Sequence, residues 1–117
     1  MKYFTEREFE CKCGCRNRNM DTGFLSKLDV ARGLAGVPFI VNSGYRCQKH
    51  NAEIPGSDPT SSHPKGLASD IRCLDSSSRW KIIFGLEKAG FLRIGVRKDF
   101  IHVDFDENKP PELLWTY

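Results

Sequence analysis

Phe91-Leu92-Arg93-Ile94-Gly95-Val96-Arg97-Lys98-Asp99-Phe100-Ile101-His102-Val103-Asp104-Phe105 reads as two short strands, 91–96 and 100–105, folded into a hairpin at Arg97-Lys98. Upstream, Asp75-Ser76-Ser77-Ser78 offers several caps for a helix in which Trp80, Ile83, Phe84 and Leu86 supply apolar surface and which Gly90 ends. Leu67 to Cys73 reads as a further strand, and Phe39-Ile40-Val41 as a short buried one left through the loop Asn42-Ser43-Gly44-Tyr45-Arg46. Between them, residues 51–65 are rich in Pro, Gly, Ser and Asp, which places His63 at the end of a long polar loop. Before all of these, Asp21 or Thr22 starts a helix whose Phe24, Leu28, Ala31 and Leu34 recur at helical spacing, with Gly36 and Pro38 at its end. Thr5-x-x-Glu8 resembles a capping box opening a short helix with Phe4 and Phe9 as its apolar contacts. The tail, with Pro110-Pro111, is expected to be irregular until Leu114 and Trp115 dock.

The chain has 117 residues, enough for one modest core, so residues 1–117 are expected to form a single domain and any site must lie within it. Hydrophobic residues make up 39% and charged residues 28%, and no apolar run approaches the roughly 20 residues of a membrane span. The net charge of +3 is mild, and Lys and Arg are scattered among acidic residues, which argues against nucleic acid as a partner. Met1-Lys2-Tyr3-Phe4-Thr5-Glu6 lacks the apolar stretch of a secretory signal, so synthesis in the cytoplasm is the expectation, with another export route for any role outside it.

Five cysteines are many for this length, and their odd number argues against a complete disulfide framework. Cys11-Lys12-Cys13-Gly14-Cys15 with Cys47 has the donors for a structural zinc cluster; disulfides, or plain reduced thiols including Cys73, are the other readings.

Ser61-Ser62-His63-Pro64-Lys65-Gly66-Leu67-Ala68-Ser69-Asp70 and His102-Val103-Asp104 each pair a histidine with an aspartate, and together they read as a zinc site. His63, Asp70 and His102 would supply two nitrogens and an oxygen to one Zn²⁺, leaving a fourth position for the water a hydrolase needs. A lone strand histidine is more often an ordinary surface or core residue, but two of the chain's three histidines stand in these short motifs. His50, the third, is read as a surface residue, Trp80 and Trp115 as core or tail anchors, and Tyr45 as buried with a satisfied hydroxyl.

Ser61-x-His63-x-x-Gly66-x-Ala68-x-Asp70, preceded by Ser43-Gly44-Tyr45-Arg46 and followed by Asp99-x-x-His102-x-Asp104, resembles the M15 family of zinc peptidases from about Phe4 to Asp104. That family includes D-Ala-D-Ala carboxypeptidases, D,D-dipeptidases and L-alanyl-D-glutamate endopeptidases of phage endolysins, and the small cysteine-containing form resembles phage or prophage members. The resemblance implies an α+β fold of hedgehog and DD-peptidase type: a small antiparallel sheet carrying the ligands, with two or three helices packed on its other face. It implies His63, Asp70 and His102 as metal ligands, Asp99 as the general acid/base and Arg46 as the electrophilic or substrate-orienting cation. Ser61 would contact substrate or brace its loop.

Asp99 and His102, three residues apart, would face opposite sides of a regular strand, whereas Asp104 shares the face of His102. Asp104 is therefore a rival base, or a group accepting a hydrogen bond from a ligand histidine. Gly66 is expected to take a backbone geometry closed to other residues, and Ala68 to allow close strand approach. The activity implied is hydrolysis of peptidoglycan stem peptides by a monomer that reaches the cell wall after release by another route. The chain has few residues with which to build a lid, which favours an endopeptidase, L-Ala-D-Glu being the first bond to consider. A D-Ala-D-Ala carboxypeptidase or dipeptidase, and a non-catalytic zinc-containing phage module, are the alternatives.

Overall fold

The computed structural model describes residues 1–117. After a 3-10 turn at Glu6–Phe9 come α1 (Thr22–Ala35), β1 (Val41–Ser43), α2 (Gln48–Glu53), a second 3-10 turn (His63–Lys65) and β2 (Ala68–Arg72). Then follow α3 (Ser76–Lys88), β3 (Arg93–Val96), β4 (Phe100–Asp104) and β5 (Leu113–Thr116). The fold is α+β, as expected. No helix is long and apolar enough to cross a membrane.

The strands form one sheet in the order β1-β2-β4-β3-β5. The first four are antiparallel to their neighbours, but β5 runs parallel to β3, so the sheet is mixed where an antiparallel one was expected. The parallel pairing follows from the loop after β4, which carries the chain back past the hairpin so that Leu113 lies beside Arg93 and Trp115 beside Gly95. The tail thus docks as a strand.

Alternation along the strands separates the two faces of the sheet. Ile71 of β2, Ile94 of β3, and Ile101 and Val103 of β4 point into the core with Phe24, Leu25, Leu28 and Ala31 of α1 and Ile82 and Leu86 of α3. Burying each of the larger side chains among these contributes roughly 1.5–3 kcal/mol. Asp70, His102 and Asp104, on the alternate positions, are left for the opposite face.

The caps fall where the sequence places them: Asp21 accepts from Phe24 N at 2.8 Å, Asp75 accepts from Ser78 N at 2.8 Å, and Thr5 and Glu8 close a capping box. Gly36 ends α1 in the left-handed region. Leu34 turns out 48% exposed and Ala35 takes its place in the core, while Trp80 is 67% exposed and stacks on Phe84 instead of anchoring the interior. The strand expected at 39–41 begins only at Val41, and α2 occupies part of the expected polar loop.

Candidate metal centre

His63, Asp70 and His102 reach one point from three different pieces of backbone. His63 stands in the 3-10 turn that Gly66 closes at φ 72°. A Cβ on Gly66 would sit 2.3 Å from the carbonyl oxygen of Asn19, so both the left-handed backbone and the close approach require glycine. Asp21 N donates to Gly66 O at 2.9 Å and pins the turn to the start of α1. Asp70 and His102 are direct cross-strand partners in the β2–β4 register, on the face away from the helices.

The candidate ligand atoms of the three residues all lie within 4.8 Å of one another. Asp70 Oδ1 is 3.4 Å from His63 Nε2 and 3.0 Å from His102 Nδ1. The outer nitrogen of each ring has its own partner: His63 Nδ1 meets Gly44 O at 2.8 Å, and His102 Nε2 meets Asp104 Oδ2 at 2.9 Å. A carbonyl and a carboxylate only accept, so both outer nitrogens carry the N–H. The inner nitrogens both face Asp70 Oδ1, an arrangement that needs a positive charge between them, a proton or a metal ion. The donor set of two imidazoles and one carboxylate fits a divalent zinc with an open position.

The same geometry sets the ionisation of the cluster when protons fill it. Burial would raise Asp70, but the two imidazoles beside it hold its carboxyl well below the usual carboxylate range. Burial would lower His102, yet its hydrogen bonds to Asp104 and Asp70 win and hold it above the ordinary imidazole value. Asp104 is itself buried; desolvation opposes its charge, and His102 with Arg93 more than offsets that, lowering it.

Arg46 is brought to the cluster. Its Nη2 lies 3.6 Å from Asp70 Oδ2 and 3.3 Å from Ser43 Oγ, and its Nη1 donates to Asn51 Oδ1 at 3.0 Å. Its Nε is buried with no partner at all, a donor left unused beside the cleft. Ser61 lines the cleft, and its hydroxyl accepts from His63 N at 3.2 Å, so it braces the ligand turn. Asp99 is not brought to the cluster. It is exposed in the β3–β4 turn and lines a neighbouring depression with Arg79 and Lys98, because the strand alternation that turns His102 inward leaves a residue three positions earlier off that face. Asp104, two positions after His102, lines the cleft.

Several residues of the cleft were not visible as site residues in the sequence. Arg93 holds Asp104 through Nε at 2.7 Å. Trp115, expected as an anchor, faces the cleft instead, its ring 5.7 Å from that of His102 and 5.1 Å from the Arg93 guanidinium. Arg97, Lys109 and Tyr117 line the same cleft of about 530 Å³, opposite in sequence from the loop of Ile54 to Asp58. Asp106 supports it from behind: it is buried, accepts from Ser62 Oγ at 2.8 Å and pairs with Lys65 at 2.9 Å. His50 lies in α2 outside the cleft, and Tyr45 packs against the core.

No curated protein and no solved structure matches the chain. The family model described as Peptidase M15 matches residues 2–104, a span that takes in His63, Asp70, His102, Arg46, Asp99 and Asp104. With nearly the whole chain matched, from the first turn to the end of β4, the protein belongs to the Peptidase M15 family.

Proposed function

We propose that the protein is a zinc-dependent peptidase that hydrolyses peptide bonds in the stem peptides of peptidoglycan, as an endopeptidase of the endolysin type. The observation that carries this reading is the convergence of the candidate ligand atoms of His63, Asp70 and His102 in a cleft that Arg46, Arg93, Arg97 and Lys109 also line. A zinc ion held by these three residues would supply a Lewis acid and a water whose pKa is brought down to about 7.

This chain's residues then divide the work. His63 and His102 are held in one tautomer each, by Gly44 O and by Asp104, so that neither ring has to reorganise to present its lone pair. Arg46, which lines the cleft with Nη2 3.6 Å from Asp70 Oδ2, would hold a substrate carbonyl or carboxylate beside Asp70. Arg97 and Lys109 would favour an acidic peptide over a neutral one, Arg93 being paired with Asp104. Trp115 and Tyr117 offer flat apolar surface to the peptide chain or an attached sugar. The carboxylate on which activity depends is, in this reading, Asp104 and not Asp99.

Digestion of purified peptidoglycan followed by mass analysis of the fragments tests the reading. Cleavage within the stem, L-Ala-D-Glu being the expected bond, lost on chelation and in His63→Ala, supports it. Release of free D-Ala from a pentapeptide with cross-linked wall left intact would replace it by a carboxypeptidase. An inert wall in both assays would leave only a metal-binding module.

A further inference from the structure

Outside the cleft lining, a second group of electron-pair donors is gathered that peptide hydrolysis does not use. Cys11, Cys13, Cys15 and Cys47 place their four sulfurs within 4.8 Å of one another. Cys11 Sγ is 3.4 Å from Cys13 Sγ, which is 3.6 Å from Cys47 Sγ. A disulfide brings its sulfurs to about 2.05 Å. Four sulfurs around one zinc at about 2.3 Å stand roughly 3.8 Å apart along the edges of the tetrahedron. The observed separations belong to the second geometry, and all five cysteines are free thiols, Cys73 being buried elsewhere.

The backbone is arranged around the sulfurs as well. Asn17 N points at Cys15 Sγ, Cys47 N at Cys11 Sγ and His50 N at Cys47 Sγ, each at 3.4 Å. Such N–H groups stabilise thiolate charge. The turn that aims the triplet at one point carries Arg16 at φ 62°, a left-handed backbone that a residue with a side chain adopts at a cost.

We propose that Cys11, Cys13, Cys15 and Cys47 bind one structural Zn²⁺, separate from the cleft, which clamps the N-terminal segment to the loop that carries Arg46. Binding exchanges four S–H bonds for four Zn–S bonds and releases four protons to solvent, with no change of oxidation state. The clamp acts on the cleft through its neighbours. Cys47 follows Arg46 directly and caps α2, and Asn51 of α2 holds the Arg46 guanidinium. Tyr45 N donates to Phe9 O at 2.8 Å, so the strap on either side of Arg46 is tied to the segment that precedes the cysteines.

The test is cobalt substitution of the full chain, purified under reducing conditions, with thiol titration in parallel. The cleft contains no sulfur, so thiolate-to-cobalt charge-transfer absorption reports this site alone, whatever the protein does to peptidoglycan. The wild type is expected to show it, at about one thiolate-bound cobalt per chain, with only Cys73 left as an unligated thiol. Cys13→Ser and Cys15→Ser alter exposed positions and should keep the circular dichroism of the fold while losing most of the absorption; amide exchange across α2 should rise. Absence of the absorption in wild type with all five thiols titratable, or a disulfide within the four by intact mass, would overturn the site. Unchanged exchange across α2 in the serine variants would overturn the clamp.

Discussion

Asp104 Oδ2 accepts from His102 Nε2 at 2.9 Å, and this bond decides which face of the imidazole looks at Asp70. With Nε2 donating to Asp104, Nδ1 is turned toward Asp70 Oδ1 at 3.0 Å, where it would offer its lone pair to a bound zinc ion. Arg93 Nε, 2.7 Å from Asp104 Oδ1, fixes the carboxylate in turn, so a chain of three side chains on β4 and β3 aims one candidate ligand atom.

Asp104→Asn is accordingly expected to weaken zinc binding in the cleft by roughly 10- to 100-fold, the usual cost of losing a group that orients a ligand histidine, with a matching loss of kcat/KM. Asp99→Asn should stay within about twofold of wild type in both, since its side chain is exposed in the turn. Zinc titration with a competing chelator and hydrolysis of a stem-peptide substrate measure the two. The reverse ranking would return the essential carboxylate to Asp99.

Gly95 lies under Trp115, and a Cβ there would come within 2.6 Å of the indole. Gly95→Ala should therefore lift Trp115 off the cleft wall while His63, Asp70 and His102 keep their places. The expected readout is a changed tryptophan fluorescence, a raised KM, and cleft zinc retained, with about 1–3 kcal/mol lost from stability through overpacking. A normal KM would show that Trp115 does not meet the substrate.

Asp106 gives the fold a pH dependence whose sign is fixed. Burial would raise its pKa, but Lys65 and Ser62, with Asn108 N, outweigh this and depress it in the folded state. A depressed folded value contributes stability above the unfolded carboxylate value of about 3.9 and loses it as pH falls through the lower folded value. Asp106→Asn should thus cost roughly 1.5–3 kcal/mol at pH 7, the range for hydrogen bonds to a charged group, and progressively less as acid protonates the wild-type carboxyl. Denaturant unfolding of both proteins across that pH range measures the gap. A gap that does not narrow in acid would mean that the charge of Asp106 contributes nothing.

That His63, Asp70 and His102 come together was legible because metal-binding chemistry restricts residue type and because the resemblance spans the three segments that supply them. Capping residues placed the ends of α1 and α3 for the same reason, since Asp21, Asp75 and Gly36 act through local backbone. What escaped the sequence depended on distant partners. Trp115 becomes a cleft residue only when β5 pairs in parallel with β3, and nothing local in Leu113–Thr116 encodes that neighbour. Arg93 meets Asp104 through the β3–β4 register, and Asp106 meets Ser62 across 44 positions of sequence. The strand alternation that sets Asp99 apart from His102 was readable in advance, and it stood against the role that the resemblance assigned.

Whether His63, Asp70 and His102 together hold one zinc ion can be read from anomalous scattering by crystals of the zinc-loaded protein. A zinc peak is expected about 2.0–2.2 Å from His63 Nε2, an Asp70 carboxylate oxygen and His102 Nδ1, with His102 Nε2 still bonded to Asp104. Zinc found at the cysteines alone, or bound in the cleft without one of these three residues, would contradict it.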